Sequence, residues 1–288
     1  MSDTRIVPLS PVKKPGELMR RAIAFQLVAV LLASLHAGAP AVAQERGFVS
    51  VVIDRETVRL VTVTYKPDGE GPFPTLIFHH GSGGFRGPPP AVAQWFVARG
   101  WAVIAPARRG RGGSEGADQE GATCSLEAAG KGAERALSDI EAATPLLLSQ
   151  PFVDRDRIAV GGQSRGGILA VAWSGRHPEM RAVVNFVGGW VGELCRSSNA
   201  INRDLLERGI AGGQTSLWLY GDNDRFYSLA HTRADWDAYG SKGGHAEWRD
   251  YKPSEEVDGH QIANLPGLWS DDLEAYLAAR GLPAWPLP

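Results

Sequence analysis

Residues 157–167 read RIAVGGQSRGG, an apolar run of strand length that ends on Gly162-Gln163-Ser164-Arg165-Gly166 and passes into the small-residue helical stretch ILAVAWSG. That succession fits G-x-S-x-G at a sharp strand-to-helix turn, which lifts a serine out of a sheet. Gly166 and Gly167 permit the close approach of helix and strand that such a turn needs. A second match, Gly112 to Gly116, centres on Ser114, but it lies in the polar, glycine-rich PARRGRGGSEGADQEG with no helix directly after it. Ser164 is therefore the candidate nucleophile.

Outward from this turn the chain alternates. Before it come two Val/Ile/Thr-rich runs in GFVSVVIDRETVRLVTVTYKP, which predict an N-terminal antiparallel hairpin around Asp54 to Glu56. The strand TLIFHH, the helix AVAQWFVARG, the strand WAVIAPA and a long helix over LEAAGKGAERALSDIEAATPLLLSQ follow. After it come the strands AVVNFVGG, SLWLYG and AEWRDYKP, a helix around HTRADWDAYG and a closing amphipathic helix over LWSDDLEAYLAAR. Strands alternating with helices of this length predict an α/β fold, a mainly parallel twisted sheet with helices on both faces. Such sheets bind ligands beyond the carboxyl ends of their strands, so chemistry is expected just after each strand.

A serine hydroxyl needs a base to take its proton, an acid to orient the base, and amides to stabilise an oxyanion. SLWLYGDNDRFY places Asp222 and Asp224 right after a strand, and EEVDGHQIANLPG places His260 in a loop before the last helix. Serine, acid and histidine thus follow one another in the order such turns require. Asp224 is preferred as the acid, because Asp222 is suited to capping the turn through Gly221 and Asn223. His260 is preferred as the base: His177 reads as a helix-ending loop residue, His231 and His245 are expected in solvent, and His79 and His80 are placed to shape the oxyanion turn. One oxyanion amide is expected from Arg165 and a second from the loop after HHG, from Ser82 or else Gly83.

The 288 residues are 43% hydrophobic and 22% charged, as in an ordinary globular protein. A formal net charge of −2 gives no footprint for nucleic acid, and the run ARRGRGG reads as a structural loop. Lys13, Lys14, Arg20 and Arg21 precede an apolar stretch closing on Ala41-Val42-Ala43, which predicts a signal peptide over residues 1–43 cleaved before Gln44, or from Met19 if the chain starts there. The apolar part is shorter than the roughly 20 residues of a spanning helix, so no stable membrane insertion is expected after cleavage. The rest, 25 Lys and Arg against 30 Asp and Glu, is mildly acidic. Export makes Cys124 and Cys195 an expected disulfide pair. No H-E-x-x-H, paired C-x-x-C or complete phosphate loop occurs, so neither metal nor cofactor is expected.

HHGSGG, WAVIAPARRGRGGSEG, PFVDRDRIAVGGQSRGG, YGDND and DGH, in that order, resemble the dienelactone hydrolase-like and prolyl-oligopeptidase-like branches of the α/β-hydrolase superfamily. The resemblance runs from about Gly71 to the last helix. It implies an α/β-hydrolase fold over residues 44–288 as a single catalytic domain with a short lid or none. Dienelactone hydrolase itself uses a cysteine nucleophile where this chain has Ser164, which favours a general carboxylic ester over a lactone. The oligopeptidase branch carries a large propeller for which residues 44–288 leave no room, so peptidase or amidase activity stands second and a noncatalytic binding protein third. The short segment from Trp190 to Gly213 is where a lid would sit. Trp190 is expected either at the mouth of the site, touching a small-molecule ester together with Gly83, or in the core.

Overall fold

A computed structural model describes residues 44–121 and 123–286. The expected leader, and with it a start at Met19, lies outside the described residues.

Eight strands form one sheet in the order β1-β2-β4-β3-β5-β6-β7-β8. β1 (Gln44–Ile53) and β2 (Glu56–Tyr65) make the predicted hairpin. Asp54 and Arg55 turn it with φ of 52° and 70°, the left-handed pair that matches the twist of two-residue hairpins. β2 runs antiparallel to β4 (Ala102–Pro106), and all later pairs are parallel: β3 (Phe73–His79), β5 (Val153–Gln163), β6 (Ala182–Phe186), β7 (Ser216–Gly221) and β8 (Ala246–Tyr251). Every residue of β4, β6 and β7 is buried. Helices cover both faces of such strands, which is why they read as continuous apolar runs.

The helices are α1 (Pro90–Val97), α2 (Leu126–Leu148), α3 (Arg165–Ser174), α4 (Ser198–Glu207), α5 (Leu229–Ser241) and α6 (Pro266–Ala278). The structure shows the α/β-hydrolase fold. Two details differ from the sequence expectation. β5 begins at Val153, ahead of the apolar run, because Phe73 pairs with Val153 across a register shift and draws the polar Asp154 to Arg157 into the strand. The lid segment contains a helix of its own, α4, whose Ile201, Leu205 and Leu206 are buried at helical spacing.

β5 is central, between β3 and β6, and ends at Gln163. β3 ends at His79 and β7 at Gly221. All three ends open on the same edge of the sheet, the edge where ligands bind in parallel α/β folds.

Candidate active site

Ser164 sits between the last residue of β5 and the first of α3 with φ 56° and ψ −124°. A non-glycine residue in that region is strained and persists only when its surroundings hold it. They do so through the backbone. The Ser164 N–H donates to Phe186 O at 2.9 Å, and its carbonyl accepts from the N–H groups of Gly167, Ile168 and Gly189 at 2.9, 3.2 and 3.3 Å. The two motif glycines are required sterically: a Cβ on Gly162 would overlap the Gly166 carbonyl, and one on Gly166 would overlap the His79 carbonyl.

The loop after β7 gives its two acids different surroundings. Asp222 accepts from the N–H of Asn223 at 2.9 Å, and Asn223 itself has φ 61°. Asp224 is turned inward, its side chain 1% exposed. One of its oxygens accepts from the N–H groups of Phe226 and Tyr227 at 2.7 and 3.2 Å; the other lies 2.9 Å from His260 Nδ1. A carboxylate can only accept here, so Nδ1 carries the hydrogen and Nε2 keeps its lone pair. His260 lies in a short 3-10 turn (Gly259–Asn264), where Asp258 accepts from its N–H at 3.0 Å. Gln163, next to Ser164, donates its side-chain amide to the His260 carbonyl at 2.9 Å. The Phe226 ring leans on the imidazole at 4.6 Å between centroids.

Ser164 and His260 line one cavity of about 320 Å³ together with Gly81, Ser82, Gly83 and Gly84. A Cβ on Gly81 would stand 3.2 Å from Ser164 Cβ, so the loop after β3 runs directly beside the serine. Arg165 N–H opens α3, and the first amides of a helix have no intrahelical acceptor. Among the described residues the Ser82 N–H has no acceptor either. On its other side Ser164 borders a second cavity of about 440 Å³, walled by Arg165, Trp190, Phe226, Tyr227 and the Cys124–Cys195 pair. Trp190 is 2% exposed, in the core, and also lines this cavity.

A family model described as the dienelactone hydrolase family matches residues 60–238. The chain belongs to the dienelactone hydrolase family. No curated protein matches its sequence significantly. Among solved structures it is similar in fold to an acetyl xylan esterase from Paenibacillus sp. R4, at 19% identity and a TM-score of 0.56 over 88% of this chain and 94% of that one. It is likewise similar to Est1E from Butyrivibrio proteoclasticus with ferulic acid bound, at 14% identity and a TM-score of 0.57 over 75% and 94%. A third is an acylaminoacyl peptidase from Pyrococcus horikoshii, at 16% identity and 0.57 over 85% and 43%. Family and fold make the chain a serine hydrolase-type enzyme.

This dienelactone hydrolase family member also contains a charged support that the motifs did not disclose. Buried Glu120 pairs with Arg108, Arg111 and Arg165. Burial alone would raise the Glu120 carboxyl, yet the arginines together, Arg108 foremost, bring it below the ordinary value. Arg108 donates to the carbonyls of His80 and Gly81 at 2.9 and 3.2 Å, and Arg111 donates to that of Ser82. The ARRGRGG loop therefore clamps the backbone next to Ser164 from behind. Its only sequence signal was an arginine cluster just after a strand.

The remaining histidines divide in line with their surroundings. His80 donates from Nδ1 to Gly81 O at 2.8 Å and accepts from the Arg108 N–H at Nε2, fixing the start of the glycine loop. His79 is wholly buried, with neither ring nitrogen bonded. His177 ends α3's connection between Glu141 and Glu179. His231, expected in solvent, instead packs against Tyr227 and Asp235, its side chain 9% exposed. Cys124 and Cys195 are joined as expected, with Cα atoms 5.5 Å apart. Among the described residues no helix is long and apolar enough to cross a membrane, and no cluster of His, Cys, Asp and Glu could hold a metal.

Proposed function

We propose that this enzyme is an exported serine hydrolase of small carboxylic esters, with Ser164 as nucleophile, His260 as base and Asp224 as the acid that orients it. Ser164 Oγ attacks the ester carbonyl while His260 Nε2 takes its proton. The carbonyl oxygen gathers negative charge between the amides of Arg165 and Ser82, whose alignment before the reaction lowers the barrier by about 3 to 4 kcal/mol per donor. The C–O bond to the alcohol breaks, His260 returns the proton to the departing oxygen, and an acyl-enzyme remains. Water then attacks it by the same route in reverse. Gly83 and Trp190 border the bound substrate. Residues 44–288 form the catalytic unit, and residues 1–43 are removed on export.

The observation that carries this reading is the bond from His260 Nδ1 to the buried Asp224, with His260 and Ser164 lining one cavity. Nδ1–H facing the carboxylate leaves Nε2 in the state that can accept a proton. Position 164 is a serine, and its alcohol gives an acyl-enzyme only with such a base beside it. The disulfide supports the exported location, since such bonds persist in oxidising compartments.

Turnover of short p-nitrophenyl esters tests the assignment. Ser164→Ala is expected to lower kcat by about 10⁴-fold or more, and Asp224→Asn by about 10⁴-fold through the wrong imidazole tautomer. A fluorophosphonate should label Ser164 alone. Labelling elsewhere, or full activity in Ser164→Ala, overturns the reading; a preference for amides over esters makes it a peptidase. Amino-terminal sequencing of the exported protein should begin at Gln44.

A further inference from the structure

Ser164 stands where two chambers of different chemistry meet. The larger, about 440 Å³, is walled by Arg165, Trp190, Val191, Phe226, Tyr227 and the Cys124–Cys195 bridge. That size and composition suit a flat apolar group, since ligand pockets are mainly apolar with a few placed polar groups. Its polar groups include the Trp190 Nε1–H, buried without a hydrogen-bond partner among the described residues, the Arg165 guanidinium stacked 4.5 Å over the Trp190 ring, and Tyr227, 4% exposed. Burial, and then the nearby Asp224 charge, raise the Tyr227 phenol, so the hydroxyl stays protonated. The smaller chamber, about 320 Å³, offers Gly81, Gly83, Gly84, Gln163, Gln261 and His260. It is a lining of backbone and side-chain hydrogen-bonding groups, and nothing stands within 4 Å of where a Cβ on Gly83 or Gly84 would be.

His260 lines the smaller chamber and not the larger. That asymmetry assigns direction. The imidazole that takes the Ser164 proton must hand it to the departing oxygen, so the alcohol leaves through the chamber that holds His260. The acyl group then points the other way. Phe226 lines both chambers and leans on the imidazole, marking the divide between them.

Resting on the ester-hydrolase reading above, we propose that the two chambers sort the substrate: an aromatic acyl group lies between Trp190, Tyr227 and the disulfide, and a polyhydroxylic alcohol lies along the glycine loop beside His260. The substrate class is accordingly an ester of an aryl carboxylic acid with a polyol or sugar. In the step itself the bond from Ser164 Oγ to the aroyl carbon forms and the bond from that carbon to the polyol oxygen breaks. The hydroxyl proton crosses through His260 to the polyol, and water later releases the free acid.

Four esters test the sorting on the mature protein: methyl and glyceryl esters of acetic and of benzoic acid, compared by kcat/KM. Benzoyl is expected to exceed acetyl by about tenfold or more on either alcohol, and glyceryl to exceed methyl. Val191→Phe, which narrows the acyl chamber, should remove the benzoyl preference and keep the glyceryl one. Gly84→Phe, placed where the structure leaves open space, should do the opposite. Acetyl preferred over benzoyl, or both variants moving the same preference, overturns the sorting. Fluorophosphonate labelling separates the two levels. Labelled Ser164 without the benzoyl and glyceryl preferences rejects the sorting alone, whereas neither labelling nor turnover rejects the ester-hydrolase reading as well.

Discussion

His79 is wholly buried directly under the serine turn, with both ring nitrogens unbonded, and burial followed by the Arg108 charge lowers it to about 3. His80 moves in the same direction for the same leading cause. The native state thus refuses a proton at each position that the unfolded chain accepts once the pH falls below about 6.5. Because the unfolded state binds more protons in that range, stability rises with pH. It is complete above about 6.5 and declines on acidification, by about 1.4 kcal/mol per pH unit for each histidine, until the native group itself titrates. Glu120, held low, adds a further acid loss only below its ordinary carboxylate range. Urea unfolding from pH 7.5 to 4.5 should show this slope, and His79→Leu should lower it by about one proton. Removing an imidazole that has no partner costs no hydrogen bond, so the variant should also fold. An unchanged slope in His79→Leu would exclude the buried imidazole as its source.

Helix α2 shows what separates a sequence reading from an account of packing. Its length and apolar spacing were legible, as were the succession of strands and helices along the chain, the N-terminal hairpin and the strand-to-helix turn, because each rests on local periodicity or on a motif at a strand end. Gly130 and Gly132 look alike in that helix. A Cβ on Gly130 meets nothing within 4 Å, whereas one on Gly132 would overlap the carbonyl of Glu120, the residue that gathers the three arginines. The two partners stand only 12 positions apart, but Glu120 lies in a loop without period, so the sequence does not disclose that they meet. Gly130→Ala is expected to stabilise by about 0.5 to 1 kcal/mol through lost unfolded-state freedom and better helix propensity. Gly132→Ala is expected to destabilise by roughly 1 to 3 kcal/mol through overpacking. It should also lower ester turnover, since Glu120 steadies Arg108 and Arg111 on the loop after β3. Denaturant midpoints of the two variants check the sign at each site, and equal midpoints would contradict the packing described here.

Across the whole molecule the candidate site draws on the ends of β3, β5 and β7 and on the turn after β8, and a rigid sheet is what brings these distant segments together. Ser164, Asp224 and His260 are the candidates the sequence offers, because Ser164 and Asp224 stand just beyond strands whose period is readable and His260 follows them in a loop before the last helix. The Glu120 network could not be read there, because Glu120, Arg108 and Arg111 lie in a glycine-rich loop without period and meet Arg165 only through tertiary closure. The disulfide lies between these cases: an even pair of cysteines suggested the bond, but only the fold shows that it ties the loop before α2 to the lid segment and walls the larger cavity. It links residues 71 apart, a loop whose closure is worth about 4 kcal/mol in the chain-entropy account. For a chain of this size that corresponds to a fall of roughly 10 °C in Tm when the bond is lost. The double variant Cys124→Ser/Cys195→Ser is therefore expected to melt lower by that amount. Its residual activity should show a raised KM with a smaller change in kcat, because the bond walls a binding chamber and touches neither Asp224 nor His260. A melting point equal to that of the oxidised protein would mean that the bridge does not constrain the unfolded chain. An equal loss in kcat would mean that the rim and the serine turn move as one body.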